Sequence, residues 1–264
     1  MSQDQTIPEV IWRREGAIAV VTLNRAEQMN AINDTLRDAL IAVLEEIEVD
    51  PAVRAAVITG EGKCFSAGGD VAGMRARLDA PAGEVAFNGY KRQIKTHKAI
   101  EQIYAFPKPT IAAVNGPAVG LGADLALACD FVMASKRSFF AISYLLRGLI
   151  PDGGSLYLLP RRVGLSRAKE LIYSGRRVPS EEALAIGLAD RLADPETLVA
   201  DSVAWAAEMT KGSMTALALG KTILNATYET GIEEIFNLGG RSQAICYTST
   251  EHRASIEEFL NKDK

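Results

Sequence analysis

The feature that most restricts the fold is an alternation of short apolar runs with helical periods up to about residue 193, followed by helical periods alone. Residues 17–23 (AIAVVTL), 54–59 (RAAVIT) and 110–114 (TIAAV) are continuous apolar runs of the kind found in buried strands. Asn33 or Asp34 can cap a helix over 35–48, where Leu36, Leu40, Ile41, Leu44 and Ile47 share one face and Glu45, Glu46 and Glu48 turn outward. A long helix is expected over 84–105, ending before Pro107 and Pro109. After the strand at 110–114 come a glycine-rich turn, an apolar helix over 121–128 and short strands at 131–134 and 139–142. Helices are then expected at about 166–174, 180–187, 195–210, 215–230 and 251–261. The alternation implies the α/β class. The expected division is a core over 1–193 and a helical C-terminal region over 194–264. Two stripes in that region, Leu217/Leu219/Ile223/Leu224 and Ile256/Phe259/Leu260, suit packing on the core as well as contact with a second subunit.

With 264 residues, 48% of them apolar, the chain is long enough for a sizeable core. Its two histidines, His97 and His252, and three cysteines, Cys64, Cys129 and Cys246, stand singly. The usual zinc motifs therefore lack ligands, and no metal site is expected. Dispersed, odd-numbered cysteines fit a reducing compartment. A net charge of −4 removes the attraction that nucleic-acid binders use. Residues 1–12 (MSQDQTIPEVIW) carry acids and a proline where a signal peptide would have a basic start, and no apolar run approaches a membrane span. A cytoplasmic protein, with neither a membrane nor a nucleic acid as partner, is expected. Carboxylates, hydroxyls and backbone amides are left to carry any chemistry.

Two glycine-bearing segments stand out, CFSAGGD at 64–70 and NGPAVGLGAD at 115–124. The second lies between a strand and a helix, where a dinucleotide fingerprint would sit. Its GLGADL, however, has a leucine where the third small residue belongs, and no acid follows at the expected distance. No G-K-[ST] follows either, so a Walker site fails. Such turns can expose amides at a helix start, where an anion is stabilised. Two of them can supply converging donors, an oxyanion hole, or can simply be tight turns.

These segments, together with LNRAEQMNAIN at 23–33, KPTIAAVNGPAVGLGADLALACD at 108–130, LLRGLIPDGG at 145–154 and SGRRVPSEEALAIGLADRL at 174–192, resemble the crotonase superfamily, the enoyl-CoA hydratase/isomerase family, over nearly the whole chain. The resemblance implies a crotonase-type spiral of ββα units whose C-terminal helices build a homotrimer, often paired into a hexamer. It also implies an acyl-CoA thioester as substrate, with coenzyme A part of that substrate and no separate cofactor. By position, the oxyanion donors are the amides of Gly69 and Leu121. Ala26, Gln28 and Ala31, with Ala67, Asp70 and Val71, match positions that hold the CoA adenine and pantetheine. Val71, Met74 and Ile142 match the acyl pocket.

The hydratases of this family use two glutamates around one water. Their positions carry Asp124 and Tyr144 here, one acid shorter by a methylene and the other missing. Asp152, eight residues beyond Tyr144, matches a catalytic aspartate of certain family isomerases, and its apolar neighbours Leu149, Ile150 and Pro151 would favour a base. Capping the helix after residue 153 is its plainer role. Asp124 is either a second acid/base or a local hydrogen-bonding residue. Tyr144 suits a hydrogen bond to a carboxylate or a place in the core. His97, between Lys95 and Lys98 in the vicinity, reads as solvated. The expected reaction is a double-bond shift in an enoyl-CoA, with hydration as the alternative. A dehalogenase-like hydrolase with Asp152 as nucleophile and a non-catalytic CoA-ester binder are further alternatives.

Overall fold

The computed structural model describes residues 7–262, so the first six residues of the leader reading lie outside the described residues. Strands β1 (Val10–Glu15), β2 (Ile18–Leu23), β3 (Ala55–Gly60), β4 (Thr110–Val114), β6 (Phe131–Ser135) and β9 (Arg191–Ala193) form one sheet in the order β1-β2-β3-β4-β6-β9. β1 and β2 are antiparallel, and every later pairing is parallel. A shorter sheet joins β5 (Ala118–Val119), β7 (Phe139–Ala141) and β8 (Val178–Pro179).

The apolar runs are continuous because both faces of the large sheet are covered. Ala19, Val21, Ala56, Ile58, Ala112 and Val114 belong to a core shared with α1 (Asp34–Val49), α3 (Ala82–Tyr104) and α4 (Leu121–Ala128). The alternating residues Ile18, Ala55, Val57, Ile111, Ala113 and Met133 meet Leu198, Trp205 and Ala206 of α8 (Leu198–Met209) on the other side. A strand–strand–helix unit recurs as β1–β2–α1, β4–β5–α4 and β6–β7–α5 (Ser155–Val163). The remaining helices are α2 (Val71–Leu78), α6 (Leu165–Ser174), α7 (Ser180–Ala185), α9 (Met214–Asn225), α10 (Ile232–Thr248) and α11 (Thr250–Lys262). Among the described residues, no helix is long and apolar enough to cross a membrane.

Asn33 is the cap of α1, its Oδ1 accepting from the Leu36 amide at 2.7 Å. The last strand of the sheet ends at Ala193, and α8, just beyond it, covers one face of that sheet. The helix expected after residue 153 is α5, while β1, α2, α10 and the short strands β5, β8 and β9 have no advance reading. Pro160 lies inside α5, and Gly239 and Gly240 lie inside α10, which carries no buried residue. The stripe residues Leu224, Ile256, Phe259 and Leu260 are exposed in the single chain.

Candidate active site

Each glycine-bearing turn leaves the end of a central strand, and the two interlock. The Ser66 amide donates to Pro117 O at 3.1 Å, and Val119 N donates to Ser66 O at 3.0 Å. A Cβ at Gly122 would overlap the Ser66 carbonyl oxygen, and one at Gly68, where φ is +90°, would stand 2.5 Å from Val119 O. Glycine is thus required by the closeness of the two backbones. Ile32 bridges to Gly69 by donating to Gly68 O at 2.7 Å and accepting from Asp70 N at 3.1 Å. Both bonds use the neighbours of residue 69, so the Gly69 amide faces away from Ile32. Leu121 opens α4, and its amide has no acceptor within the helix. The Gly68 Cβ position lies 3.3 Å from the Leu121 nitrogen, which brings both amides to one junction.

Asp124, on the first turn of α4, is fully buried. Its Oδ1 accepts from the Ser155 amide at 3.0 Å and from the Ser155 hydroxyl, and its Oδ2 accepts from the Tyr144 hydroxyl. Burial pushes its pKa up to about 7, despite the opposing hydrogen bonds from Ser155 and Tyr144, and the nearby Asp152 charge adds to the rise. Burial first, then the Asp124 charge, raises the Tyr144 phenol above its ordinary value.

Asp152 does not cap α5: Gly154 stands at the cap and no side chain fills that role. Its Oδ2 lies 3.3 Å from His97 Nε2 instead, with 22% of the Asp152 side chain exposed and 42% of the His97 side chain. His97 is thus partly solvated, as its flanking lysines suggest, and also meets Asp152. His97, Ile100, Glu101 and Tyr104 follow the i, i+3, i+4, i+7 spacing of one helical face, the signal that the flanking lysines obscured. That face and α5 enclose a cleft of about 280 Å³, lined by His97, Ile100, Tyr104, Asp152, Tyr157 and Leu158 among others. The Tyr104 and Tyr157 rings meet edge to face at 6.1 Å. Gly153 joins the cleft to the turns, since a Cβ there would overlap Asp124 Oδ2 and stand 2.8 Å from Leu121 Cδ1.

A model of the enoyl-CoA hydratase/isomerase family matches residues 13–264. The chain belongs to this family. A crotonyl-CoA hydratase of Syntrophomonas wolfei is 34% identical over 260 residues, covering 97% of this chain and 96% of that protein. The 1,2-epoxyphenylacetyl-CoA isomerase of Escherichia coli is 32% identical over 248 residues, covering 94% of each. The crystal structure of an enoyl-CoA hydratase/isomerase from Cupriavidus metallidurans superposes with a TM-score of 0.88 at 36% identity, over 98% of this chain and 95% of that one. The fold is the crotonase fold.

In this family member, the residues matched to CoA contacts gather on one rim. Ala26 and Gln28 lie on a short 3-10 turn, Ala26–Gln28, followed by left-handed Met29 and Asn30. The buried Asn30 side chain holds that loop by accepting from Arg25 N at 2.9 Å and donating to Cys64 O at 2.7 Å. The Ala67 amide donates to Met29 O at 2.9 Å, and Arg25 spans Ala31 O and the Asp70 carboxylate, 3.3 Å away. Arg25 and Asn30 are organisers that motif matching passed over, because their partners are mostly backbone atoms. Partial burial works against the Asp70 charge, but the Gly73 and Ala72 amides and Arg25 outweigh it and hold the carboxyl below its ordinary range. Asp70 therefore heads α2 as well as lying on the rim. Val71 is exposed, Ile142 is buried just beyond β7, and a Cβ at Gly69 would stand 2.7 Å from Met74 Cε. Ser66 is buried, its hydroxyl donating to Asn30 O at 2.8 Å and accepting from Gly68 N at 3.1 Å, so it serves the turn. Among the described residues, no cluster of three His, Cys, Asp or Glu side chains could hold a metal ion.

Proposed function

We propose that the protein shifts a double bond in an enoyl-CoA thioester. The thioester oxygen lies between the amides of Gly69 and Leu121, and Asp152 moves the proton. The observation that carries this reading is the contrast between the two acids. Asp124 is buried with both oxygens engaged, whereas Asp152 is partly exposed and lines the cleft next to the Leu121 turn. Charge moving onto the thioester oxygen is stabilised by fixed amide dipoles, each donor of this kind being worth about 3–4 kcal/mol of barrier. Asp124 then orients Tyr144 and the start of α5 instead of exchanging protons with substrate. The same reading has the exposed apolar residues of α9–α11, such as Leu224, Phe236 and Phe259, buried between copies of the chain in a trimer or a pair of trimers.

The test is a panel of straight-chain and phenyl-bearing β,γ-unsaturated acyl-CoAs, followed by the rise of conjugated-thioester absorbance. Asp152→Asn should lower turnover by about a hundredfold or more, and full activity in that variant would remove Asp152 as the base. Hydration, the activity in the name of the Syntrophomonas relative, is separated by incubation with crotonyl-CoA, which loses the same absorbance as water adds. It would need Asp124 and Asp152 to share a water, and the Asp124 oxygens already have partners. The His97 contact favours one other use of Asp152, as a nucleophile beside a base. Mass spectrometry of enzyme quenched during turnover would then find an adduct on Asp152.

A further inference from the structure

His97 is the one histidine in the cleft, and it meets the carboxylate proposed to move the proton. Its Nε2 lies 3.3 Å from Asp152 Oδ2. Among the described residues, no hydrogen bond engages Oδ1 of Asp152, whereas both oxygens of Asp124 accept hydrogen bonds. The elements that carry the pair are well fixed. α3 packs on α1 and α4 through Ile100 and Ile103, and the Tyr104 hydroxyl donates to Asn225 O at 2.9 Å while Asn225 Nδ2 returns a bond to Tyr104 O at 2.9 Å. Across the cleft, Tyr157 donates to Glu229 at 2.7 Å. An imidazole on a braced helix is thus aimed at a carboxylate in a loop that has glycines at 153 and 154 and no capping bond of its own.

We infer that His97 is a positioning residue for Asp152, its Nε2–H holding Oδ2 so that the carboxylate has one orientation and Oδ1 is left to take the substrate proton. This rests on the isomerase reading above. In the step, Oδ1 takes a proton from the carbon α or γ to the thioester. The C–H electron pair enters the conjugated system, and charge collects on the thioester oxygen. The proton now on Asp152 returns to the other carbon as that charge moves back, so the reaction is redox-neutral and needs no co-reactant. His97 keeps its proton throughout. A carboxylate free to rotate spends much of its time outside the reacting geometry, and misplacement of about 1 Å can cost about a hundredfold in rate.

The experiment compares His97→Leu, His97→Gln and Asp152→Asn with the wild-type enzyme, on the acyl-CoA of the panel that turns over fastest. His97→Leu should lower kcat by ten- to a hundredfold, on the order of what misplacement costs, with KM changed little. His97→Gln, whose amide nitrogen can take the place of Nε2, should recover most of the loss. Equal thermal midpoints in all four proteins would show that the losses are not unfolding. A His97→Leu enzyme with unchanged kcat, or with only KM raised, overturns the inference. So does a His97→Gln enzyme as slow as His97→Leu, because the imidazole would then be carrying a proton. If Asp152→Asn is inactive while His97→Leu is normal, the positioning role falls and the isomerase reading stands. If Asp152→Asn is fully active, or no member of the panel is isomerised, the isomerase reading falls and takes this inference with it.

Discussion

Replacing Asp124 with asparagine should make the protein more stable at neutral and alkaline pH and leave it nearly unchanged only below the ordinary aspartate pKa of 3.8. An ordinary aspartate has a pKa of 3.8, and burial pushes Asp124 up to about 7. Between those two values the unfolded chain has shed a proton that the folded chain keeps. Each pH unit in this window therefore takes about 1.4 kcal/mol from the folding free energy, and the loss levels off once the folded acid ionises. The full window corresponds to about 4 kcal/mol, and the part from pH 5 upward to about 3 kcal/mol. Asparagine has the same shape and a workable set of bonds. Its oxygen can accept from the Ser155 amide and hydroxyl, and its nitrogen can donate to the Tyr144 oxygen. It cannot ionise. Urea denaturation at fixed protein concentration, repeated from pH 5 to pH 8, measures the difference. Wild-type stability should fall by about 3 kcal/mol relative to Asp124→Asn across that range. A difference that stays constant with pH would show that Asp124 is ionised in the folded protein throughout, and would refute the account of its burial.

Other substitutions probe the same structure. Tyr144→Phe removes a donor to the buried Asp124 oxygen, so it should cost about 1–3 kcal/mol in urea denaturation and move the pH-dependent fall to higher pH. Gly122→Ala drives a Cβ into the Ser66 carbonyl and should cost about 1–3 kcal/mol together with most of the activity. Gly89→Ala, in open space on α3, should instead be neutral or stabilising by up to about 1 kcal/mol. Glu251 of α11 accepts from Ser213 Oγ and from the Met214 amide at 2.9 Å and the Thr215 amide at 3.2 Å, tying α11 to the start of α9. The Ser213 bond is the chief cause that holds its pKa at about 2, below the ordinary 4.5. Its contribution is therefore present above pH 4.5 and is lost as pH falls toward 2. Hydrogen exchange of α11 amides should quicken on acidification through this window, and Glu251→Gln should show the quicker exchange already at neutral pH.

What could be read in advance depended on where each residue finds its partner. Strands buried on both faces and helices with one core-facing stripe carry their environment in their own composition, as Val20–Val21 and Leu36–Leu40–Leu44 do. The glycines of the two turns are equally plain, because close approach of two backbones excludes other residues. Contacts between distant segments left weaker marks. The bond from His97 to Asp152 spans 55 positions, and local charge around His97 pointed to solvent. Ser155, which completes the surroundings of Asp124, carries no motif, and only the packing of α5 on α4 brings it there.

The shorter acid at 124 and the phenol at 144 are better understood as one change than as two. A pair of glutamates at these positions would direct two carboxylates at a common water, whereas here the Tyr144 hydroxyl occupies one oxygen of Asp124 and Ser155 occupies the other. Each partner makes the other necessary. Without the aspartate, the partly buried phenol would lose its acceptor, and without the phenol the fully buried carboxyl would lose a donor. Gly153 packs so closely on Asp124 that a longer acid there would collide with the loop that carries Asp152. Saturating the first acid thus fixes the position of the second. Installing a glutamate pair with Asp124→Glu and Tyr144→Glu should therefore displace the 152–154 loop, so the double variant should lose the proposed isomerisation before it gains any hydration of crotonyl-CoA. A variant that hydrates crotonyl-CoA while keeping wild-type isomerisation would show that the two sites are independent.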